Sequence, residues 1–305
     1  MATRKKTNKK PGKGGKIALG LFAAMALFLL VALGIGLVSA NLLHIRRAEV
    51  VIDDLPRGFD GTTLLYVSDI DLCGLNNPDR AGAVFNQLQS LYPDLLILGG
   101  DYNSTALLDR LNQPANRTGD EPAKLESRSR FFYYIGAFQA PLGKYAIAAT
   151  EDVQWQNLRE VMAENGIHPL INGKVELHAS GDTLWLTGIS GKVSSLNDAG
   201  SVFTRDDCVL AIAEGPDVLP LLLTSEAADS GPWADLILCG RTHGGQIRLF
   251  GHSVLSLSEV EQRFLSGWNT QSGIPILTTE GLGCEGLNLR LGSTPEVWYI
   301  TLKRS

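Results

Sequence analysis

Leu236-Ile-Leu-Cys-Gly-Arg-Thr-His-Gly-Gly-Gln-Ile-Arg-Leu249 is the stretch on which the reading of this 305-residue chain turns. The short apolar run Asp235–Cys239 reads as a buried strand. It breaks at Gly240, sets Arg241 and His243 side by side in a loop and turns on Gly244-Gly245. It then returns as a second strand, Gln246–Leu249. A Gly-rich loop that presents a basic residue and a histidine at a strand end is how a sheet places ligands and catalysts. A hairpin carrying a surface histidine is the plainer alternative, and three earlier loops of the same kind weigh against it.

The first of these follows strand Thr62–Val67, which ends in Ser68-Asp69-Ile70-Asp71. If the extended geometry persists, the two carboxylates point the same way. A helix opened by Pro78-Asp79 runs through Ala81–Leu91 with apolar residues on one face. Strand Leu95–Leu98 then ends in Gly99-Gly100-Asp101. This is a βαβ unit, and its handedness brings both acidic strand ends to one edge. Asp101 to Arg128 reads as a long polar loop over that edge, followed by a helix near Ser129–Phe138 and a strand Tyr145–Ala148. The third loop, Ala149-Thr150-Glu151-Asp152, opens a helix with Asp152 as N-cap, Val153, Leu158, Val161 and Met162 as its apolar positions and Gly166 as its stop. Later strands are expected at Val175–His178, Thr183–Ile189, Leu219–Thr224, Ile274–Thr278 and Val297–Leu302, with Ser190–Arg205 and Gly267–Gly273 as loops. Two sheets packed face to face, with helices outside, accommodate this order.

Ahead of the domain, Ile17 to Leu43 carries no charge and is long enough to cross a bilayer. Seven Lys and Arg precede it, with no acid, and only Arg46 and Arg47 follow closely. The positive-inside rule reads residues 1–16 as a basic cytoplasmic tail, 17–43 as a signal anchor in the cell membrane and 48–305 as an extracytoplasmic domain. Val38-Ser39-Ala40 also fits a cleavage site, which leaves removal of the segment as the alternative. The first 47 residues hold nine of the 27 basic residues, so the remainder sets 18 basic against 32 acidic groups, a net −14. That acidity argues against a nucleic-acid partner. The four cysteines are scattered without a CxxC, which argues against structural zinc. Asn103-Ser-Thr and Asn116-Arg-Thr fit the glycosylation pattern.

Together the loops resemble the calcineurin-like metallophosphoesterases, most closely the membrane-anchored branch with UDP-2,3-diacylglucosamine hydrolase-like enzymes. The carriers are Leu55-Pro-Arg-Gly-Phe-Asp-Gly, Ser68-Asp-Ile-Asp-Leu, Pro93-Asp-Leu-Leu-Ile-Leu-Gly-Gly-Asp101, Leu142-Gly-Lys-Tyr-Ala-Ile, Thr242-His-Gly-Gly-Gln-Ile-Arg-Leu, and Glu280-Gly-Leu-Gly with Pro295-Glu-Val. The resemblance implies an α/β/β/α sandwich of two mixed sheets from about Leu55 onward. It also implies chemistry built on two divalent ions about 3.5–4 Å apart. The family pattern is Asp-x-His, Gly-Asp, Gly-Asn-His-Asp, a lone His and Gly-His-x-His.

Carried over by position, Asp69, Asp71, Asp101 and His243 supply one complete ligand set. Three carboxylates and an imidazole suit a single Mn²⁺, Mg²⁺ or Ca²⁺. The other set becomes Asp101, Thr150, Ser225 and Arg241, of which the last cannot ligate a metal because it stays protonated. Glu151 takes the place of the catalytic His, and acts as an acid only if its pKa is raised. Arg241 then has two readings. It stands in electrostatically for the missing ion, on Asp101 or a substrate phosphate, or it merely neutralises a disused acidic cluster. Two functions follow. One is a phosphoester or pyrophosphate hydrolase using one metal plus Arg241, on a phosphorylated small molecule or a lipid-linked or envelope substrate. The other is a catalytically silent relative that binds a phosphorylated ligand or a protein.

Overall fold

In a computed structural model, residues 13–105, 122–152, 155, 157–190, 200–254 and 261–305 are described. The basic run Arg4–Lys10, the sequon at Asn116, Val153 and the middle of the loop Ser190–Arg205 lie outside these residues.

Helix α1 (Lys13–Ser39) precedes the domain. Its Leu19–Ser39 span is long and apolar enough to cross a membrane, and only 6% of that span is buried, so it is no core helix. The rest folds as two six-stranded sheets. The first has the order β1 (His44–Ile52), β14 (Glu296–Arg304), β2 (Thr63–Val67), β3 (Leu95–Leu98), β4 (Lys144–Ala146) and β5 (His168–Pro169). From β2 to β5 the strands are parallel; β14 is antiparallel to β2 and parallel to β1. The second sheet has the order β12 (Gly267–Gln271), β13 (Ile274–Thr278), β9 (Leu236–Cys239), β8 (Val209–Ala213), β7 (Asp182–Ile189) and β6 (Gly173–Ala179). Its four central strands are parallel and its two edges antiparallel.

Buried side chains separate into three layers, as an α/β/β/α sandwich requires. Leu64, Tyr66, Ile97 and Ile300 meet Leu186, Leu210 and Leu238 between the sheets. Helices α2 (Pro78–Leu88), α3 (Pro122–Ala137) and α4 (Leu158–Glu164) cover the first sheet through Phe85, Phe131 and Met162. The outer face of the second sheet packs Ala211 and Ile237 under Phe203, Trp233 and Leu222, the last from α5 (Leu219–Leu222). Strands β2, β3, β9 and β13 are buried except at Thr63 and Pro275, so each reads as an apolar run rather than as an alternation.

Four local expectations change. Leu219–Thr224 is not a strand but holds α5, with Pro220 in its first turn, and the strand is β8, ten residues earlier. Gln246–Leu249 does not return into the sheet. A 3₁₀ turn over His243–Gly245 leads instead to a two-residue ladder of β10 (Arg248–Leu249) with β11 (His252–Ser253). Gly267–Gly273 is mostly strand, β12, paired with β13. Asp152 does not cap a helix; α4 begins after Asn157.

Candidate metal centre

The loops after β2, β3 and β9 leave one edge of the sandwich. Asp69 and Asp71 follow β2, and Asp101 follows β3. All three backbones are left-handed, with φ of 53°, 48° and 58°. The extended geometry expected for Asp69-Ile70-Asp71 therefore does not persist. Asp tolerates this region better than most residues, and such strain concentrates at functional sites. The two loops are zipped together: Asp69 N donates to Gly100 O (3.1 Å) and Asp71 N to Asp101 O (2.9 Å). Asp152 holds the third loop to the second, accepting from Asp101 N (2.8 Å), Tyr102 N (3.3 Å) and Ala149 N (2.9 Å). Glu296 of the Pro-Glu-Val motif is a comparable anchor, accepting from Glu280 N (3.0 Å) and Trp298 Nε1 (2.7 Å).

Asp69 is wedged between two glycines of the second sheet's loops. A Cβ on Gly281 would stand 2.6 Å from the Asp69 Cβ, and one on Gly240 would stand 3.0 Å from Asp69 Oδ1 and run into Ser68 Oγ. Only glycine permits that approach. Asp69 Oδ1 accepts from Arg241 N at 2.8 Å. The other oxygen, Oδ2, is buried without a hydrogen-bond partner, and so is Asp71 Oδ2. The nearest cationic candidate to the latter is His243 Nε2, at 3.6 Å.

Burial, acting with crowded like charges, pushes the protons back onto these acids. Asp69 is pushed up to about 7, chiefly by burial. Asp71 is raised by burial and then by Asp69, and Asp101 by burial and then by Asp71. His243 moves down to about 3, through burial first and then the charge of Arg290. The imidazole is therefore neutral, the form that ligates metals. Arg290 is fully buried and donates to Gly283 O (2.6 Å from Nη2, 3.1 Å from Nε) and Gly281 O (3.2 Å). Its contact with His243 Nδ1 is longer, 3.4 Å, and because a guanidinium only donates, Nδ1 is the acceptor there.

The donor set fits a hard divalent ion. Two orphaned, buried carboxylate oxygens are uncompensated charges of the kind a cation satisfies, and three carboxylates with one neutral imidazole suit Mn²⁺, Mg²⁺ or Ca²⁺. Among the described residues, however, the one acid, Cys and His group with all donor atoms within 4.8 Å of one another is Asp54, Cys208 and Asp235. That group lies at the opposite edge, after β1 and before β8 and β9. Asp69, Asp71, Asp101 and His243 share a site but stand further apart, so their side chains must swing inward to close on an ion.

Beside this set lies a second network whose key residue the sequence reading missed. Glu214, at the end of β8, accepts at Oε2 from Thr150 N (2.9 Å) and Thr150 Oγ1 (2.8 Å). Its Oε1 pairs with Arg241 Nη1 at 3.1 Å, and the same nitrogen reaches Asp217 Oδ2 at 3.4 Å. Arg241 thus pairs with neither Asp101 nor Glu151 but with two acids of the β8 loop. Ser225 is not part of the site. It follows α5, accepts from Trp233 Nε1 at 2.7 Å and lines a separate groove with Leu222 and Ile274. The signal for Glu214 was present in Val209-Leu-Ala-Ile-Ala-Glu-Gly, an apolar run ending in an acid and a glycine like the other motif loops.

Asp71, Asp101, Thr150, Glu214 and Arg241 line a cavity of about 180 Å³, while Asp69 and His243 lie buried outside its lining. Five carboxylates line it, from Asp71, Asp101, Glu151, Glu214 and Glu285, against one guanidinium, that of Arg241. Glu151 sits exposed on the rim. His168 stacks on Tyr145, His178 is exposed beside Glu176, and His252 is exposed on β11. None of these three histidines lines the cavity.

No family model matches the chain. Curated relatives do. A zebrafish (Danio rerio) transmembrane protein with a metallophosphoesterase domain is 23% identical over 84% of this chain and 56% of its own length, so the chain spans little more than half of that relative. Phosphodiesterase YaeI of Escherichia coli is 28% identical over 69% of this chain and 70% of its own. A solved dimetal phosphatase from Danio rerio aligns over 73% of this chain and 88% of that one, with 8% identity and a TM-score of 0.42, too distant to argue from. The motif order, the two-sheet sandwich and the curated relatives support a calcineurin-like metallophosphoesterase.

Proposed function

We propose that the cleft binds one divalent ion through Asp69, Asp71, Asp101 and His243, and a phosphoester beside it, with the Glu214–Arg241 pair in the place of a second ion. The observation that carries this is the pair of orphaned oxygens, Asp69 Oδ2 and Asp71 Oδ2, buried in a cluster of raised carboxyl pKa values. Charge supports the order of events. A phosphate dianion entering a cavity lined by five acidic side chains finds one guanidinium to offset its charge, so a cation in place first favours its entry.

When bound, such an ion polarises a phosphoryl oxygen and lowers the pKa of its water. The chain's own residues do the rest. Arg241 spends Nη1 on Glu214 and Asp217 and lines the cavity, which leaves its other guanidinium donors to orient a phosphate. Glu214 keeps that guanidinium from collapsing onto Asp101. Thr150, held by Glu214 through both backbone and side chain, fixes the loop that carries Glu151 at the rim. Glu151, exposed at the rim, is the acid of the third motif left available to the cleft, because Asp152 is fully engaged by backbone N–H groups.

The second reading, a silent phosphate-binding module, draws on the same Thr150–Glu214–Arg241–Asp217 network, which closes the other ligand set with an internal ion pair. Metal content and phosphate binding of the full chain in detergent separate these readings from a site with no ion. About one Mn²⁺ per chain, lost in Asp101→Ala, with phosphodiester turnover lost in the same variant, fits the hydrolase. The same stoichiometry with phosphate binding but no turnover fits the silent module, and a folded chain without metal overturns both.

A further inference from the structure

Topology fixes which edge of the sandwich faces the bilayer. Only four residues separate Ser39, the end of α1, from His44, the start of β1. His44 is level with Glu296 at the start of β14, and β14 runs antiparallel to β2, with Trp298 opposite Tyr66. The edge where β1 begins is therefore the edge where β2, β3 and β4 end, which is the edge bearing Asp69, Asp71 and Asp101.

The loop before β14 ties that edge to the apolar helix itself. Arg290 N donates to Gly36 O at 3.0 Å, and Ser39 Oγ donates to Ser293 O at 3.4 Å. Gly36 is buried there, and a Cβ on it would stand 2.5 Å from Leu289 Cδ1, so the helix is notched to receive the loop. Gly36 lies three residues before Ser39, about 4.5 Å down the helix axis, so the loop sits level with the last apolar turn. Arg290 is also the residue that positions His243. Arg80, in the first turn of α2, bonds Asn41 just past the helix, bringing the start of α2 to the same level.

The loops at this edge expose large apolar side chains: Leu75 after β2, Leu249 and Phe250 after β9, and Leu287 before β14. Phe250 is fully exposed at the tip of the β10–β11 ladder, in a left-handed backbone (φ 53°) where Asn or Gly is the ordinary choice. The ladder adjoins the docking loop, since Arg248 N donates to Leu291 O at 2.7 Å.

We infer that the partner of this surface is the bilayer that holds α1. Leu75, Leu249, Phe250 and Leu287 seat in the headgroup and upper acyl region, and the metal cleft opens toward the lipid headgroups rather than toward bulk water. Aromatic and aliphatic side chains on loops at the end of a spanning helix occupy that zone. The surface stands whether or not the cleft turns substrate over, and whichever side of the membrane the domain occupies.

The test uses the full chain in nanodiscs, with and without brominated phosphatidylcholine, and reads the tryptophan emission that each variant adds to wild type. Phe250→Trp and Leu75→Trp probe the surface. Phe28→Trp reports α1 within the bilayer. Val51→Trp, on an exposed residue seven positions up β1, stands roughly 23 Å further from the membrane edge. The inference expects the added emission of Phe250→Trp and Leu75→Trp to fall roughly twofold or more in brominated discs, with Val51→Trp unchanged. Quenching of Phe28→Trp with neither loop variant quenched would overturn it, by showing the edge turned away from the lipid. An unquenched Phe28→Trp would overturn it too, because α1 would then not reside in the bilayer.

Discussion

Raising the pH from 5 to 8 should destabilise the metal-free protein, and a divalent ion should remove most of that effect. Asp69 is the group from which the magnitude follows. Its carboxyl has an ordinary pKa of 3.8 and is pushed to about 7 in the folded chain, chiefly by burial. A raised acid binds its proton more tightly when folded, so its contribution is full below about pH 4 and disappears as the pH climbs through 7. Integrating between pH 5 and 8 gives a loss of about 2–3 kcal/mol for this one buried group. For a domain of this size that corresponds to a fall in Tm of roughly 5–10 °C. Asp71 and Asp101 are raised for the same reason and push in the same direction. Asp235, hydrogen-bonded to Asp54 at the far edge and raised to about 7, adds a slope that metal at the cleft leaves alone. The assay is thermal unfolding of the Asp235→Asn chain at pH 5, 6, 7 and 8, with chelator and with saturating Mn²⁺. A Tm that falls with pH in chelator and stays nearly level in Mn²⁺ fits the account. A chelated protein whose Tm holds or rises from pH 5 to 8 would refute the claim that these carboxylates are buried without compensation.

Three further outcomes follow from the same geometry. Gly240→Ala places a methyl against Ser68 and Asp69 Oδ1, and should cost about 1–3 kcal/mol in denaturant unfolding while weakening Mn²⁺ binding. Arg290→Met leaves the Gly281 and Gly283 carbonyls and several buried acids without their cation, and should cost about 3–5 kcal/mol by the same measurement. Arg241→Gln should leave the metal stoichiometry unchanged yet weaken inorganic phosphate binding by about tenfold in calorimetry, since it removes a charge-assisted donor and no ligand.

Much of the fold is legible because its central strands are apolar runs bounded by Gly and Asp. Leu95–Leu98 and Ile274–Thr278 fall on β3 and β13 residue for residue, and the acids of the motif loops gather at one edge as the βαβ unit requires. The second half misleads where two short apolar runs compete. Val209–Ala213 and Leu219–Thr224 look alike over four to six residues, and at that length periodicity cannot tell strand from helix. Pro220, suited to a first helical turn, was the mark that separates them, and missing it displaced the site from Glu214 to Ser225. Arg241 was legible as a residue that cannot ligate metal, but its partners Glu214 and Asp217 come from another strand's loop and depend on the order of β8 and β9. Asp152 illustrates the same limit. Its sequence context suits a helix cap, whereas its carboxylate is consumed by three backbone N–H groups, two of them from a loop fifty residues away.

The central claim is one ion, not two, with an ion pair beside it. Anomalous diffraction from crystals grown with Mn²⁺ tests it directly. The account predicts a single peak per chain among Asp69, Asp71, Asp101 and His243, with Arg241 still on Glu214. Two peaks bridged by Asp101, or a well-ordered cleft with none, would contradict it.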